Sequence, residues 1–213
     1  MDGIDTLLFD WDGTLIESAE NSFAAFQKAL QEFGIPLEYE VYKTIYSPNW
    51  YSMYAALQLP REKWKAADDF WMHYYGQGVV HLVRGGKHAL AELSSRGYCL
   101  GIVTSGSRSR VLREMGSLGV ADVIGAVVCN EDVRNKKPHP EGLERGMQLL
   151  NRQPGACCYV GDSPDDIEMG RRAHVRTIAI PGGYPGSKKL ADANPDFWFG
   201  SIDQLLKHFS DLR

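Results

Sequence analysis

The chain has 213 residues, enough for one large domain or two small ones with a substantial core. Its 23 Lys and Arg against 27 Asp and Glu leave a net charge of −4, which speaks against a nucleic-acid partner; 44% hydrophobic and 23% charged residues exclude a disordered chain. A mildly acidic chain can still hold phosphate at a small local site, so phosphorylated small molecules stay open as ligands. Cys99, Cys129, Cys157 and Cys158 sit in or beside apolar runs with no CxxC spacing, as buried reduced thiols would. Met1 to Asp5 lacks the basic and apolar regions of a leader, and no apolar run is long enough to span a bilayer. A cytoplasmic protein without membrane contact is expected.

Taken in chain order, Ile4 to Asp10 is a short apolar run ending abruptly in Asp10-Trp11-Asp12-Gly13-Thr14, the pattern of a buried parallel strand. The next segments are helical: Glu17 to Phe33, closed by Gly34 and Pro36, then Glu38 to Tyr46, then Arg61 to about Val83. From there helices and apolar runs alternate. Lys87 to Arg96 precedes the run Tyr98 to Val103; Ser107 to Leu118 precedes Val123 to Cys129; Pro140 to Leu150 precedes Ala156 to Val160; Ser163 to Arg172 precedes Val175 to Ile180. This alternation predicts βαβ crossovers and a parallel sheet. The stretch between Thr14 and Gly85 holds no strand and is too long for a crossover, so it reads as an all-helical module inserted after the first strand, with hinges at Gly13 and Gly85-Gly86. Its many aromatics, Trp50, Tyr51, Tyr54, Trp64, Phe70, Trp71, Tyr74 and Tyr75, suit a small helical core, a minority of them facing a ligand pocket.

Parallel sheets bind ligands beyond the carboxyl ends of their strands. The polar residues expected there form a series: Asp10 and Asp12, then Thr104 and Ser105 with Gly106-Ser107-Arg108 opening a helix, then Lys137-Pro138, then Gly161-Asp162-Ser163-Pro164-Asp165-Asp166. Each has a plain structural alternative. Asp12-Gly13 is a common turn, Ser163-x-x-Asp166 is a helix cap, and a lone lysine is usually solvated. Two carboxylates at one strand mouth repel each other unless a cation lies between them, and Mg²⁺ takes a few carboxylates plus water and phosphate oxygens. Hydroxyls and N–H groups at Thr104 to Ser107 make an anion site.

The same four segments resemble the four motifs of the haloacid dehalogenase (HAD) superfamily, most closely its phosphoglycolate phosphatase and β-phosphoglucomutase branch. The resemblance covers nearly the whole chain. It implies an α/β fold: a three-layer Rossmann-like parallel sheet as the HAD-like core, residues 1–15 and 84–213, with an inserted all-helical cap domain, residues 16–83. It implies Asp10 as nucleophile forming an aspartyl-phosphate, and Asp12 as the acid that protonates the leaving oxygen and then activates water. It implies Mg²⁺ held by the Asp10 carboxylate, the Asp12 backbone carbonyl and Asp162, phosphoryl binding by Thr104 and Lys137, and a supporting role for Asp166. Ser105, Gly106 and Arg108 join the substrate-binding set, Arg108 as a cation for a second anionic group or else as an exposed helix-start arginine.

Asp12 argues for a phosphate ester or anhydride, because expelling halide needs no acid and the dehalogenases lack this residue. The expected function is a Mg²⁺-dependent phosphatase of a small phosphorylated metabolite, with a phosphosugar mutase of the β-phosphoglucomutase type as the alternative. A non-catalytic binding protein is a third reading, disfavoured by the intact series. Phosphoglycolate, pyrophosphate, nucleotides and sugar phosphates all stay open, as do a monomer and a homodimer. The chain departs from the family at Glu17, usually Asp, and at Ser105, usually Asn. The loop Gly182 to Lys188 has the wrong glycine spacing for a phosphate-binding loop. No histidine pair has zinc spacing, and His139 near Lys137 reads as structural.

Overall fold

The computed structural model describes residues 3–211, and Met1 and Asp2 of the segment read for a leader lie outside them. Six strands form one sheet: β1 (Thr6–Phe9), β2 (Cys99–Val103), β3 (Ala126–Val128), β4 (Cys157–Gly161), β5 (Arg176–Ala179) and β6 (Phe197–Trp198). Their order is β3-β2-β1-β4-β5-β6 and every pairing is parallel. The five expected apolar runs each hold one strand. The sixth, β6, is two residues long and half-exposed, too short to give a run. The chain builds outward from β1 to β3, then crosses back and builds outward on the other side from β4. That switch flanks β1, with Phe9 opposite Ile102 on one side and Val160 on the other.

The alternation of side chains along β1 shows why the apolar runs are continuous. Leu7 and Phe9 face one way with Leu100, Ile102 and Val160, against helices α5 (Gly86–Ser95), α6 (Arg108–Leu118) and α10 (Ile202–Ser210) through Leu90, Leu93, Val111, Met115, Leu205 and Phe209. Leu8 faces the other way with Val103 and Tyr159, against α7 (Glu141–Leu150) and α8 (Pro164–Arg172) through Leu143, Met147 and Met169. Each such Leu or Phe, fully removed from water, contributes roughly 1.5–3 kcal/mol, so a strand buried on both faces is apolar at most positions; the buried Thr6 that opens β1 has its hydroxyl hydrogen-bonded to Asp5 and Arg152. The result is three layers, helix, sheet and helix.

Between β1 and α5 lie α1 (Ala19–Gln31), α2 (Tyr39–Ile45), α3 (Trp50–Ala56) and α4 (Trp64–Tyr75). They share a core of their own, built on Phe26, Leu30, Tyr42, Met53, Tyr54 and Ala67. Sequence periodicity does not show α3, whose Trp and Tyr residues blur the apolar stripe. The predicted helix from Arg61 to Val83 stops at Tyr75, where Gly76 and Gly78 end it. The two chain passages joining this helical unit to the sheet run side by side: Glu17 N–H donates to His81 O at 2.9 Å, and Val83 N–H to Leu15 O at 2.9 Å. After β5 the chain forms α9 (Ser187–Asp192), a segment not assigned from sequence. Among the described residues no helix is long and apolar enough to cross a membrane, and all four cysteines are free.

Candidate active site

Asp10 follows β1 directly. Its N–H still donates into the sheet, to Val160 O at 2.8 Å, so its side chain leaves at the carboxyl end, where it is buried. The chain then turns sharply: Leu15 and Ile16 N–H both return to Trp11 O. Gly13, at φ +82°, sits in this turn facing Asp162, which follows β4. A Cβ on Gly13 would collide with the Asp162 carboxylate, and so would one on Gly182. The Asp162 carboxylate therefore lies in a cradle between two glycines, one of which also needs the left-handed backbone.

Lys137, carried by the segment between β3 and α7, reaches both acids of the opposite wall. Its Nζ donates to Asp10 Oδ1 and to Asp166 Oδ1, each at 2.7 Å, and the side chain is buried. Asp166 is fully buried in the first turn of α8 and saturated. Oδ1 also accepts from Tyr159 OH at 3.2 Å, and Oδ2 accepts from Ser163 N–H at 3.0 Å and Ser163 Oγ at 2.6 Å. The expected cap is present, with Asp166 N–H donating to Ser163 Oγ at 3.2 Å, so one carboxylate both closes the helix and aims the lysine. Thr104 directly follows β2, its N–H still donating to Val128 O, and its Oγ1 accepts from Gly106 N–H at 3.0 Å.

Asp10, Asp162 and Asp166 each offer an oxygen, all within 4.8 Å of one another. One lysine cannot neutralise three carboxylates. Burial, offset by Lys137 and reinforced by Asp166 and Asp12, pushes the Asp10 carboxyl up to about 7. Burial, together with Asp166 and Asp10, raises Asp162 well above the usual range. Burial works against the Lys137 ammonium, yet Asp10 and Asp166 outweigh it and raise its pKa. Among the described residues no donor reaches the Asp162 carboxylate. Hard oxygen donors, surplus negative charge and a small cradle fit a divalent cation such as Mg²⁺, with Asp10 and Asp162 as the open carboxylates and Asp166 already committed to Lys137.

Asp12 is held by a residue the sequence reading passed over. Arg110, on α6 and 3% exposed, grips both Asp12 oxygens: Nη1 donates to Oδ1 at 3.0 Å, and Nη2 donates to Oδ2. Nη1 also meets Glu114 Oε2 at 3.1 Å, and Glu114, also 3% exposed, accepts from Trp11 Nε1 at 2.8 Å. The signal was available: positions 110 and 114 share the buried face of α6 with Val111 and Met115, and opposite charges on an apolar stripe mark a buried pair. Arg108, expected on substrate, points elsewhere. Its guanidinium pairs with Asp132 and donates to Val127 O at 3.2 Å, outside the cavity, because the helix turn carries residue 108 to the opposite side from 110.

These groups floor a cavity of about 280 Å³. Asp10, Asp12, Thr104, Ser105, Gly106, Lys137 and Asp162 line its sheet end; Tyr46, Trp50, Tyr51, Tyr54, Asp68 and Trp71 line its helical end. The other four aromatics of the helical unit singled out from sequence lie outside its lining. Tyr184, from the loop after β5, stacks on Tyr46 with ring centres 5.3 Å apart and shares a hydrogen bond with Ser18, so the wall is continuous across the two units. His139 does not line this cavity; its ring accepts from Glu141 N–H.

A sequence model described as haloacid dehalogenase-like hydrolase matches residues 7–180. Pyrophosphatase PpaX of Bacillus anthracis is 29% identical over 212 residues, covering 98% of each chain. A crystal structure of a predicted phosphoglycolate phosphatase from Haemophilus somnus superposes with a TM-score of 0.83 at 22% identity, covering 98% of this chain and 99% of that one. The structure of CbbY from Rhodobacter sphaeroides in complex with phosphate superposes at 0.79 with 21% identity, covering 95% and 96%. The structural likenesses carry the fold; the sequence match extends from the first strand of the sheet to the end of its fifth.

Proposed function

The chain belongs to the haloacid dehalogenase-like hydrolase family, and from that premise we propose that it is a Mg²⁺-dependent phosphatase that hydrolyses a small phosphorylated metabolite through an aspartyl-phosphate on Asp10. The observation that carries this reading is Lys137 bridging Asp10 and Asp166 at 2.7 Å each, beside the uncommitted carboxylate of Asp162. A carboxylate at a strand mouth, with a lysine bonded to one oxygen, leaves its second oxygen to attack phosphorus in line. The names of the PpaX relative and of the structural neighbour from Haemophilus support phosphate chemistry.

In the proposed reaction Lys137 and Thr104 bind the oxygens of the transferring group, with Ser105 and Gly106 lining the same end and the Gly106 N–H held by Thr104 Oγ1. Asp10 attacks phosphorus and the ester oxygen departs, taking a proton from Asp12. Asp12, then ionised, accepts a proton from the water that cleaves the acyl phosphate on Asp10. Arg110 sets the direction of the Asp12 carboxylate through its two contacts. Mg²⁺, held by Asp10, Asp162 and the Asp12 backbone carbonyl, would supply charge neutralisation as the phosphoryl group moves. The helical unit, residues 16–83, acts as a cap whose paired passages at residues 15–17 and 81–83 form the hinge, so that closure excludes water.

The test is hydrolysis of an aryl phosphate with Mg²⁺. Asp10→Asn and a chelator are each expected to abolish phosphate release, and turnover that persists in the Asn variant overturns the mechanism. In the mutase alternative the aspartyl-phosphate passes to a sugar hydroxyl. Isomerisation of a hexose phosphate faster than phosphate release would replace the phosphatase reading with it.

A further inference from the structure

The helical end of the cavity has a chemistry that the phosphoryl end does not account for. Among the described residues two basic side chains line the cavity, Lys137 and Arg110. Both are committed, Lys137 to Asp10 and Asp166, Arg110 to Asp12 and Glu114. The helical end holds instead a carboxylate, Asp68 of α4. Oδ1 accepts from Trp50 Nε1 at 2.9 Å and from Tyr54 OH at 3.1 Å, and Oδ2 accepts from Tyr51 OH at 3.0 Å. All three donors are neutral. Among the described residues no cation forms an ion pair with Asp68; Lys65, on the same helix, bridges to Asp69 instead.

Neutral donors orient and solvate a carboxylate, but they leave its net charge and its field in place. That field acts at a half-buried carboxylate beside indole and phenol rings, facing the cavity that they line. A leaving group bearing a second phosphate or a carboxylate would meet like charge there, with no free cation among the described residues to receive it. A leaving group bearing a positive nitrogen would meet Asp68 and a set of electron-rich rings, the combination that recognises alkylammonium groups elsewhere.

We propose that the Asp68 end of the cavity is a subsite for a cationic nitrogen, and that the preferred substrate is a phosphate monoester of an alcohol carrying a quaternary or primary ammonium group. The reaction rests on the phosphatase reading above; the selectivity rests on Asp68 and its aromatic donors. Only the ester is consumed: the P–O bond to the alcohol breaks, water supplies the new oxygen on phosphorus, and the alcohol departs with its proton. The nitrogen keeps its substituents and its charge throughout.

The experiment compares phosphocholine with its carbon isostere, the ester in which a tert-butyl group replaces the trimethylammonium. Size and shape are matched, so the ratio of their kcat/KM values reads the charge alone and needs no variant. The expected ratio in the intact protein is about tenfold or more in favour of phosphocholine. Asp68→Asn keeps an acceptor oxygen for Trp50 and Tyr54 and is expected to bring the ratio to within about twofold of one. Phosphoethanolamine in the same comparison tells a primary from a quaternary nitrogen. In parallel, tetramethylammonium chloride is titrated against sodium chloride at equal ionic strength, with tryptophan emission as the readout. Saturable quenching in the intact protein, lost in Asp68→Asn, supports the subsite. Turnover of an aryl phosphate with an ester ratio near one and no saturable quenching overturns the subsite and leaves the phosphatase reading standing. Saturable quenching without phosphate release from any ester does the reverse.

Discussion

Replacing Arg110 by Met tests the buried network around Asp12. Arg110 and Glu114 are each 3% exposed, and Glu114 has two kinds of partner, the guanidinium and Trp11 Nε1. Methionine fills much of the arginine's volume, so the dominant loss is electrostatic. Glu114 would be left charged beside one neutral donor in a site already dry enough for burial to raise its carboxyl pKa. Removing one partner of such a pair costs about 3–5 kcal/mol, chiefly because the survivor is stranded without water. For a domain of this size that corresponds to a fall in melting temperature of about 10 °C. Urea unfolding followed by tryptophan emission measures the change directly. Adding Glu114→Gln to the Arg110→Met chain should restore much of the loss, since the amide is neutral and keeps an oxygen for Trp11. A single variant within about 1 kcal/mol of the parent, or a double variant no more stable than the single, would refute the account.

Three further outcomes follow from the site. Asp10 binds its proton more tightly in the folded chain, with a carboxyl pushed up to about 7 against an ordinary 3.8, so without metal the folded state holds the extra proton between those values and stability falls as pH rises through that window. Mg²⁺ competes with that proton, so the gain in melting temperature on adding it should be larger at about pH 8 than at about pH 5; a gain independent of pH, measured by thermal unfolding, would contradict this. Gly182→Ala places a methyl against the Asp162 carboxylate and the Gly13 backbone carbonyl, displacing the cradle, and a titration of activity with Mg²⁺ should show metal affinity weakened roughly 10–100-fold. Arg108→Ala should change kcat/KM less than about threefold, because the guanidinium serves Asp132 and Val127 outside the cavity; a loss of about a hundredfold in steady-state kinetics would put Arg108 back on the substrate.

The aromatic-rich helical unit shows where sequence reading reached its limit. That the segment after β1 is helical follows from the absence of a strand-like run and from the helical stretch Glu17 to Phe33 closed by Gly34 and Pro36. Which of its rings face the cavity does not, because Trp and Tyr suit a core and a pocket wall equally well. Trp50, Tyr51, Tyr54 and Trp71 face it, while Trp64 packs against Tyr51 and Tyr74 donates to Glu32 at the surface. Asp68, one of two adjacent acids on an exposed-looking helix, becomes notable once three aromatic donors from α3 are seen to converge on it.

By itself the sequence determined the parallel sheet, the helical insertion, and the placing of Asp10, Thr104 and Asp162 directly after their strands. Those are local matters: a strand buried on both faces is apolar at most positions, and a polar residue that directly follows it emerges at the carboxyl edge. The tertiary structure alone decided the pairings across long chain separations. Trp11 meets Glu114 across 103 positions, Arg110 meets Asp12 across 98, and Lys137 meets Asp10 across 127. It also decided that Arg110 and not Arg108 serves the site, since two residues along a helix turn a side chain by about half a circle. Charge and spacing in one dimension name the groups that can act. Which acid is relieved of its charge, and which is left uncompensated, depends on contacts that exist only once the sheet and the helical unit are closed around the same cavity.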